Sequence, residues 1–290
     1  MKTSLAHLPE NKQHEILRIA EIIREVADPE MIILFGSYAK GTYTEHTYIG
    51  RDGIRYEYVS DYDLLVVTKD AVEKSYELDD QITNRARMFK PAVNLEIHDI
   101  AYINEGLEFG QYFFSDIVKE GIVLFDKGMV QFSEPRELTV VEQGEISRRY
   151  FEKWFNRGKT FYDLVAHLEQ GRYAEGAFLL HQSAESFYYT TLLVFTGYKP
   201  KTHNLAKLRK QAKLLSEDLY LLFPAESNKK ERHLFDLLKR GYVDARYRDD
   251  YFIIKEELSS LISRVGEMKN VVEKICKDKI NSILSPLNKD

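Results

Sequence analysis

Two apolar runs, each meeting polar chemistry at one end, constrain this chain more than anything else in it. Met31–Phe35 runs into Gly36-Ser37-Tyr38-Ala39-Lys40-Gly41-Thr42, and Ser60-Asp61-Tyr62-Asp63 runs into Leu64-Leu65-Val66-Val67. The first reads as a strand opening into a glycine-and-hydroxyl turn, the second as a strand that begins with carboxylates at i and i+2. Alternate strand residues point the same way, so Asp61 and Asp63 share a face. Neighbouring carboxylates repel, and a divalent cation relieves the repulsion. Mg²⁺ in particular takes a few carboxylates together with phosphate oxygens. A phosphate can rest on the backbone N–H groups of the Gly-Ser turn. The two pieces together describe a site for a metal-bound triphosphate, against the plainer reading of a solvated strand end with a chance Asp-x-Asp.

The chain in order supports two domains, for which 290 residues are enough. Ile16, Ile19, Ala20, Ile23 and Val26 recur at helical spacing over Pro9–Ala27, and Asp28-Pro29 ends that helix. Tyr43–Val59 reads as a hairpin insertion (about 43–59) turning at Gly50-Arg51-Asp52-Gly53. Ala71–Phe89 reads as a second helix. Val93, Leu95 and Ile97 then alternate with Asn94, Glu96 and His98 as a half-polar strand. Asp99–Leu107 and Gly110–Ile117 precede the strand-like Gly121–Phe125, and Asp126–Glu145, with Gly128, Pro135 and Gly144, is the most linker-like stretch. The expected boundary divides 1–135 from 136–290. Beyond it nothing reads as a strand. Arg148–Leu168, Tyr173–Phe195, Asn204–Leu215, Lys229–Tyr247 and Tyr251–Lys277 are helical by length and period, giving an all-α bundle.

Charge separates the halves further. Residues 1–138 carry 15 Lys/Arg against 25 Asp/Glu and the rest 26 against 21, so the halves are electrostatically different and could meet each other or an anionic ligand. A single cysteine, Cys276, excludes a disulfide framework or a thiolate zinc cluster within one chain. With no apolar run of bilayer-spanning length and a charged helix near the first residues, the expectation is a cytoplasmic protein with no membrane partner.

Gly36-Ser37 followed by Ser60-Asp61-Tyr62-Asp63 resembles the signature of the nucleotidyltransferases of the polymerase-beta superfamily, most of all the minimal, kanamycin-nucleotidyltransferase-like type that accompanies HEPN domains. The resemblance implies an α+β domain with a mixed sheet flanked by helices. It implies a nucleoside triphosphate as substrate, two Mg²⁺ ions on Asp61 and Asp63, and the nucleotide held by Gly36, Ser37, Lys40 and Thr42. The family places a third carboxylate on the strand after the Asp-x-Asp strand, and Glu96 is the matching candidate for a metal ligand or a base toward the acceptor. One departure is the spacing: Ser37 and Asp61 are 24 residues apart, further than the family's usual interval, and the hairpin insertion accounts for it.

In the helical half, Leu180-His181-Gln182-Ser183-Ala184-Glu185, Thr202-His203-Asn204-Leu205 and Ala245-Arg246-Tyr247 resemble the HEPN domain. That resemblance implies a homodimer paired through these helices. Many HEPN domains are ribonucleases built on an Arg followed by a His one to two helical turns later. Here no histidine lies beyond His233, and Tyr251 stands at the fifth position after Arg246. A tyrosine is a poor proton shuttle near neutral pH, so RNA is not the favoured partner. His181, Glu185, Arg240, Arg246 and Tyr251 remain candidates for phosphate or acceptor contacts, with buried packing and solvated helix ends as the plain alternatives. The combined expectation is a Mg²⁺-dependent nucleotidyltransferase acting on an unidentified acceptor hydroxyl, with the helical domain as the acceptor side. Two rivals stand beside it: a toxin–antitoxin-like module that adenylylates a protein, and a nucleotide-sensing protein with a degenerate transferase site.

Overall fold

A computed structural model describes residues 1–49, 55–200, 202–248 and 250–285 of the protein, and the expected turn at Gly50–Gly53 lies outside them. The chain forms two compact units, Met1–Glu137 and Leu138–Asp290.

In the first unit, α1 (Glu10–Ala27) starts directly after Pro9, whose fixed φ suits a helix entry. It ends where Asp28 turns left-handed (φ 41°) and returns its N–H to the Arg24 carbonyl. Its apolar stripe, Ile16, Ile19 and Ile23, is fully buried. A four-stranded mixed sheet has the order β5-β4-β1-β6, built from β1 (Met31–Phe35), β4 (Tyr62–Thr68), β5 (Val93–Asp99) and β6 (Ile122–Asp126). β1 lies antiparallel to both β4 and β6, whereas β4 and β5 are parallel. A parallel pair needs a crossover, and α3 (Ser75–Ala86) supplies it. The two central strands are apolar almost throughout because both faces are covered. Ile32, Leu34, Leu64, Val66 and Leu95 pack one face on α1 and on Ile82 of α3. On the other face lie α4 (Ile100–Glu108) and α5 (Tyr112–Glu120), where Phe113 meets Phe35 edge to face and Phe114 meets His98.

The stretch expected to be a hairpin pairs as one. β2 (Glu45–Ile49) and β3 (Arg55–Val59) form a separate antiparallel two-stranded sheet. Its base is closed by Thr44 N–H donating to Ser60 Oγ and Ser60 N–H donating to the Thr44 carbonyl, each at 2.9 Å. The insertion therefore returns the chain to where it left.

The second unit is helical throughout its described residues. Its axis is α7 (Tyr173–Thr196), buried almost continuously from Leu180 to Val194, with α6 (Val140–Val165) and α12 (Lys255–Leu284) packed along it. α8 (Leu205–Lys213), the short α9 (Glu217–Leu221), α10 (Lys229–Arg240) and α11 (Asp244–Tyr247) complete it. Two helix limits depart from the sequence reading in ways the packing explains. α6 starts at Val140, inside the stretch read as linker, because Thr139 and Glu142 form a capping box. Gly144 breaks nothing there; a Cβ on it would stand 2.3 Å from Leu284, so it marks a close helix contact. The single helix expected over Lys229–Tyr247 is divided at Gly241, where a Cβ would meet the Ala177 carbonyl oxygen at 2.7 Å. No helix among the described residues is long and apolar enough to cross a membrane.

Candidate functional site

Asp63 is the second residue of β4, paired across the sheet with Phe35, the last residue of β1. The chain after Phe35 cannot continue as a strand: Gly36 takes φ 72°, and Gly36–Lys40 winds into a one-turn helix, α2, closed by Gly41 at φ 73°. The bare turn expected from sequence is thus a short helix. Its first N–H groups have no acceptor within the helix, which is the property a phosphate uses. Position 36 admits only glycine, since a Cβ there would stand 2.4 Å from Asp63 Oδ2. The turn thus lies directly on the carboxylate.

The same helix is anchored from beneath. Tyr38 is fully buried and its hydroxyl donates to Glu45 Oε1 at 2.9 Å, while Lys12 of α1 reaches that oxygen at 2.7 Å. The Tyr62 hydroxyl donates to Glu15 at 2.7 Å, and the Tyr38 ring stacks on Tyr43. Burial first, then the hydrogen-bonded carboxylates, pushes both phenols well above the usual tyrosine range, so they remain donors.

On β5 the parallel register sets Asn94 opposite Asp63, and Asn94 Nδ2 donates to Asp63 Oδ1 at 2.8 Å. Glu96 lies two residues further on, opposite Leu65. It is 4 % exposed, and its Oε2 is 3.2 Å from Nε2 of His98, itself 6 % exposed. That pair lies under α4 and α5, with the His98 ring stacked on Tyr102. The side chain set directly beside Asp63 is thus the Asn94 amide, and Glu96, the expected third carboxylate, lies two residues further along β5. Sequence reading missed Asn94 because alternation puts 94, 96 and 98 on one face and does not say which of them meets Asp63.

Of the other expected nucleotide ligands, Lys40 pairs with Glu120 of α5, and that ammonium holds the Glu120 carboxyl below its usual range. One turn earlier on α5, burial raises the carboxyl of Asp116, with Lys40 opposing. Thr42 is exposed, and its N–H donates to the Ser37 carbonyl at 2.9 Å. Among the described residues no three His, Cys, Asp or Glu side chains converge as a ligand cluster. Asp61, the residue immediately before β4, and Asp63 offer two carboxylates two positions apart. That donor set fits an ion shared with phosphate oxygens and not one caged by protein alone.

Residues 18–128 match the family described as polymerase beta, nucleotidyltransferase, and residues 151–275 match the HEPN domain. The chain is a polymerase beta nucleotidyltransferase domain followed by a HEPN domain. No curated protein matches it.

Within the HEPN domain, the two histidines of the quoted motifs meet around Tyr242. The His181 ring lies 5.2 Å from the Tyr242 ring and the His203 ring 4.7 Å, both nearly parallel to it. His203 Nδ1 pairs with Glu185, which also accepts from Tyr189. His181 is buried, its Nδ1–H donating to the Leu238 carbonyl at 3.0 Å, and its Nε2 has no hydrogen-bond partner. Arg246 lies over Tyr242, Phe178 and Tyr247, and Lys199 lies over Tyr189 and Trp154. The fold therefore brings His181, Glu185 and Arg246 to one cluster. Arg240 and Tyr251 form a separate pair, with Arg240 bonded to Asp244 and the buried Tyr251 hydroxyl donating to the Leu237 carbonyl. His203, Tyr242, Tyr189 and Lys199 were not singled out as site residues; only His203 sat in a quoted motif, and Tyr242 has no linear signal.

Proposed function

We propose that the nucleotidyltransferase domain transfers a nucleoside monophosphate unit from a nucleoside triphosphate to an acceptor hydroxyl on a small molecule or a protein. In the step, the acceptor oxygen bonds to the α-phosphorus and gives up its proton to solvent, the bond from that phosphorus to the β-phosphate bridging oxygen breaks, and pyrophosphate leaves. The backbone N–H groups at Gly36 and Ser37 cradle the β- and γ-phosphates. Asp61 and Asp63 hold the divalent ion, which offsets the triphosphate's charge when bound. Asn94 keeps the Asp63 carboxylate oriented through its N–H. The observation that carries this reading is the fit of Gly36 against Asp63: phosphate cradle and metal carboxylate form one site, in a chain whose family has this chemistry. A label in the α-phosphate but not the γ-phosphate should pass to the acceptor, and the transfer should vanish in Asp63→Asn. Transfer of the γ-label instead would refute it.

A second reading, a nucleotide-sensing protein with a slow transfer step, is favoured by one observation: a neutral amide, not a carboxylate, stands opposite Asp63.

A further inference from the structure

The side chain opposite Asp63 decides how many cations the site can hold. Two divalent ions in one site stand only about 3.5–4 Å apart, and anionic oxygens must offset their mutual repulsion. This chain supplies two carboxylates, Asp61 and Asp63. Opposite Asp63 it supplies Asn94, whose amide is turned with its N–H₂ toward Asp63 Oδ1 at 2.8 Å. That end of the amide is a donor with partial positive charge, and a cation cannot be ligated through it. It also occupies one of the two lone-pair sites of Oδ1. Asp63 Oδ2 lies on the other side, against the place a Gly36 Cβ would fill. The next carboxylate along β5, Glu96, is opposite Leu65 and turned to His98. The amide therefore does locally what an ion would do, satisfying one oxygen of a buried carboxylate with a donor that carries no net charge.

We propose that Asn94 takes the place of a second divalent ion, so that the nucleotide binds here with a single ion between Asp61, Asp63 and its phosphates. The inference rests on the transferase reading of the site. It also sets a specificity: no carboxylate at position 94 takes the acceptor's proton, so basal transfer to a neutral hydroxyl is slow.

The test is equilibrium dialysis of the full chain with Mn²⁺ and a labelled α,β-methylene triphosphate, counting bound ions per bound nucleotide. Wild type should hold one, and Asn94→Asp should hold two. Asn94→Ser, which removes the donor without adding charge, should still hold one, and it keeps the comparison usable if the Asp variant fails to fold. Two ions in wild type would overturn the proposal, as would a single ion in a folded Asn94→Asp. Nucleotide binding that needs no Mn²⁺ and survives Asp63→Asn would overturn the transferase reading instead.

Discussion

Gly36 and Asp63 approach so closely that a methyl group at position 36 would overlap the Asp63 carboxylate at 2.4 Å. The left-handed backbone that lets the chain turn away from β1 is thus also what makes room for the Asp63 carboxylate, the group proposed to hold the metal.

Gly36→Ala should fail on both counts. A side chain at φ 72° costs about 1–2 kcal/mol, which a thermal melt will register. Displacing the carboxylate by an ångström costs more in function, about a hundredfold in transfer rate. An alanine variant with unchanged nucleotide affinity and rate would show that the close approach does not matter to the site.

Gly158→Ala tests the packing of the HEPN domain. Gly158 sits inside α6, where alanine normally gains about 1 kcal/mol of helix propensity. A Cβ there would meet the Phe187 ring at 2.7 Å and the Ser183 carbonyl oxygen at 3.2 Å. Overpacking of a fully buried aromatic should win and destabilise the domain by about 1–3 kcal/mol. Chemical denaturation of the two proteins decides it, and a gain in stability would mean that Phe187 yields easily.

Stability should also respond to acid through His181. Burial lowers its pKa from the ordinary 6.5, with the bond to the Leu238 carbonyl and the charge of Glu185 opposing the shift. A lowered value means the unfolded chain takes the proton first, so the contribution is complete above about 6.5 and is lost as pH falls through the folded value. Glu226 and Glu257 are shifted below 4.5, so their losses come at lower pH. Melting temperature should fall between pH 7 and pH 5, about the range in which histidine titrates, and His181→Gln should flatten that slope. An equal slope in both proteins would place the sensitivity elsewhere.

Some of this was legible in sequence because it depends on local chemistry. The strands at Met31–Phe35 and Tyr62–Thr68 need only their apolar runs to be read. The pairing of Glu45–Ile49 with Arg55–Val59 follows from two alternating arms. Register between strands distant in sequence has no such local signature, so the sequence alone does not show that Asn94 is the residue opposite Asp63. Gly144 and Gly241 misled in opposite ways for one reason. A glycine at a helix crossing looks in sequence like a glycine in a loop or is passed over within a helix, and only the neighbouring backbone or side chain tells which. Tyr242 joins His181 to His203 across three separate segments, a relation that spacing along the chain cannot carry.

The most direct test of the central claim is pyrophosphate release from each of the four nucleoside triphosphates with Mg²⁺ and candidate acceptors, comparing wild type with Asp61→Asn/Asp63→Asn. The account predicts release by wild type that disappears in the double variant while the fold, read by circular dichroism, is kept. Release that persists in the folded double variant would contradict it.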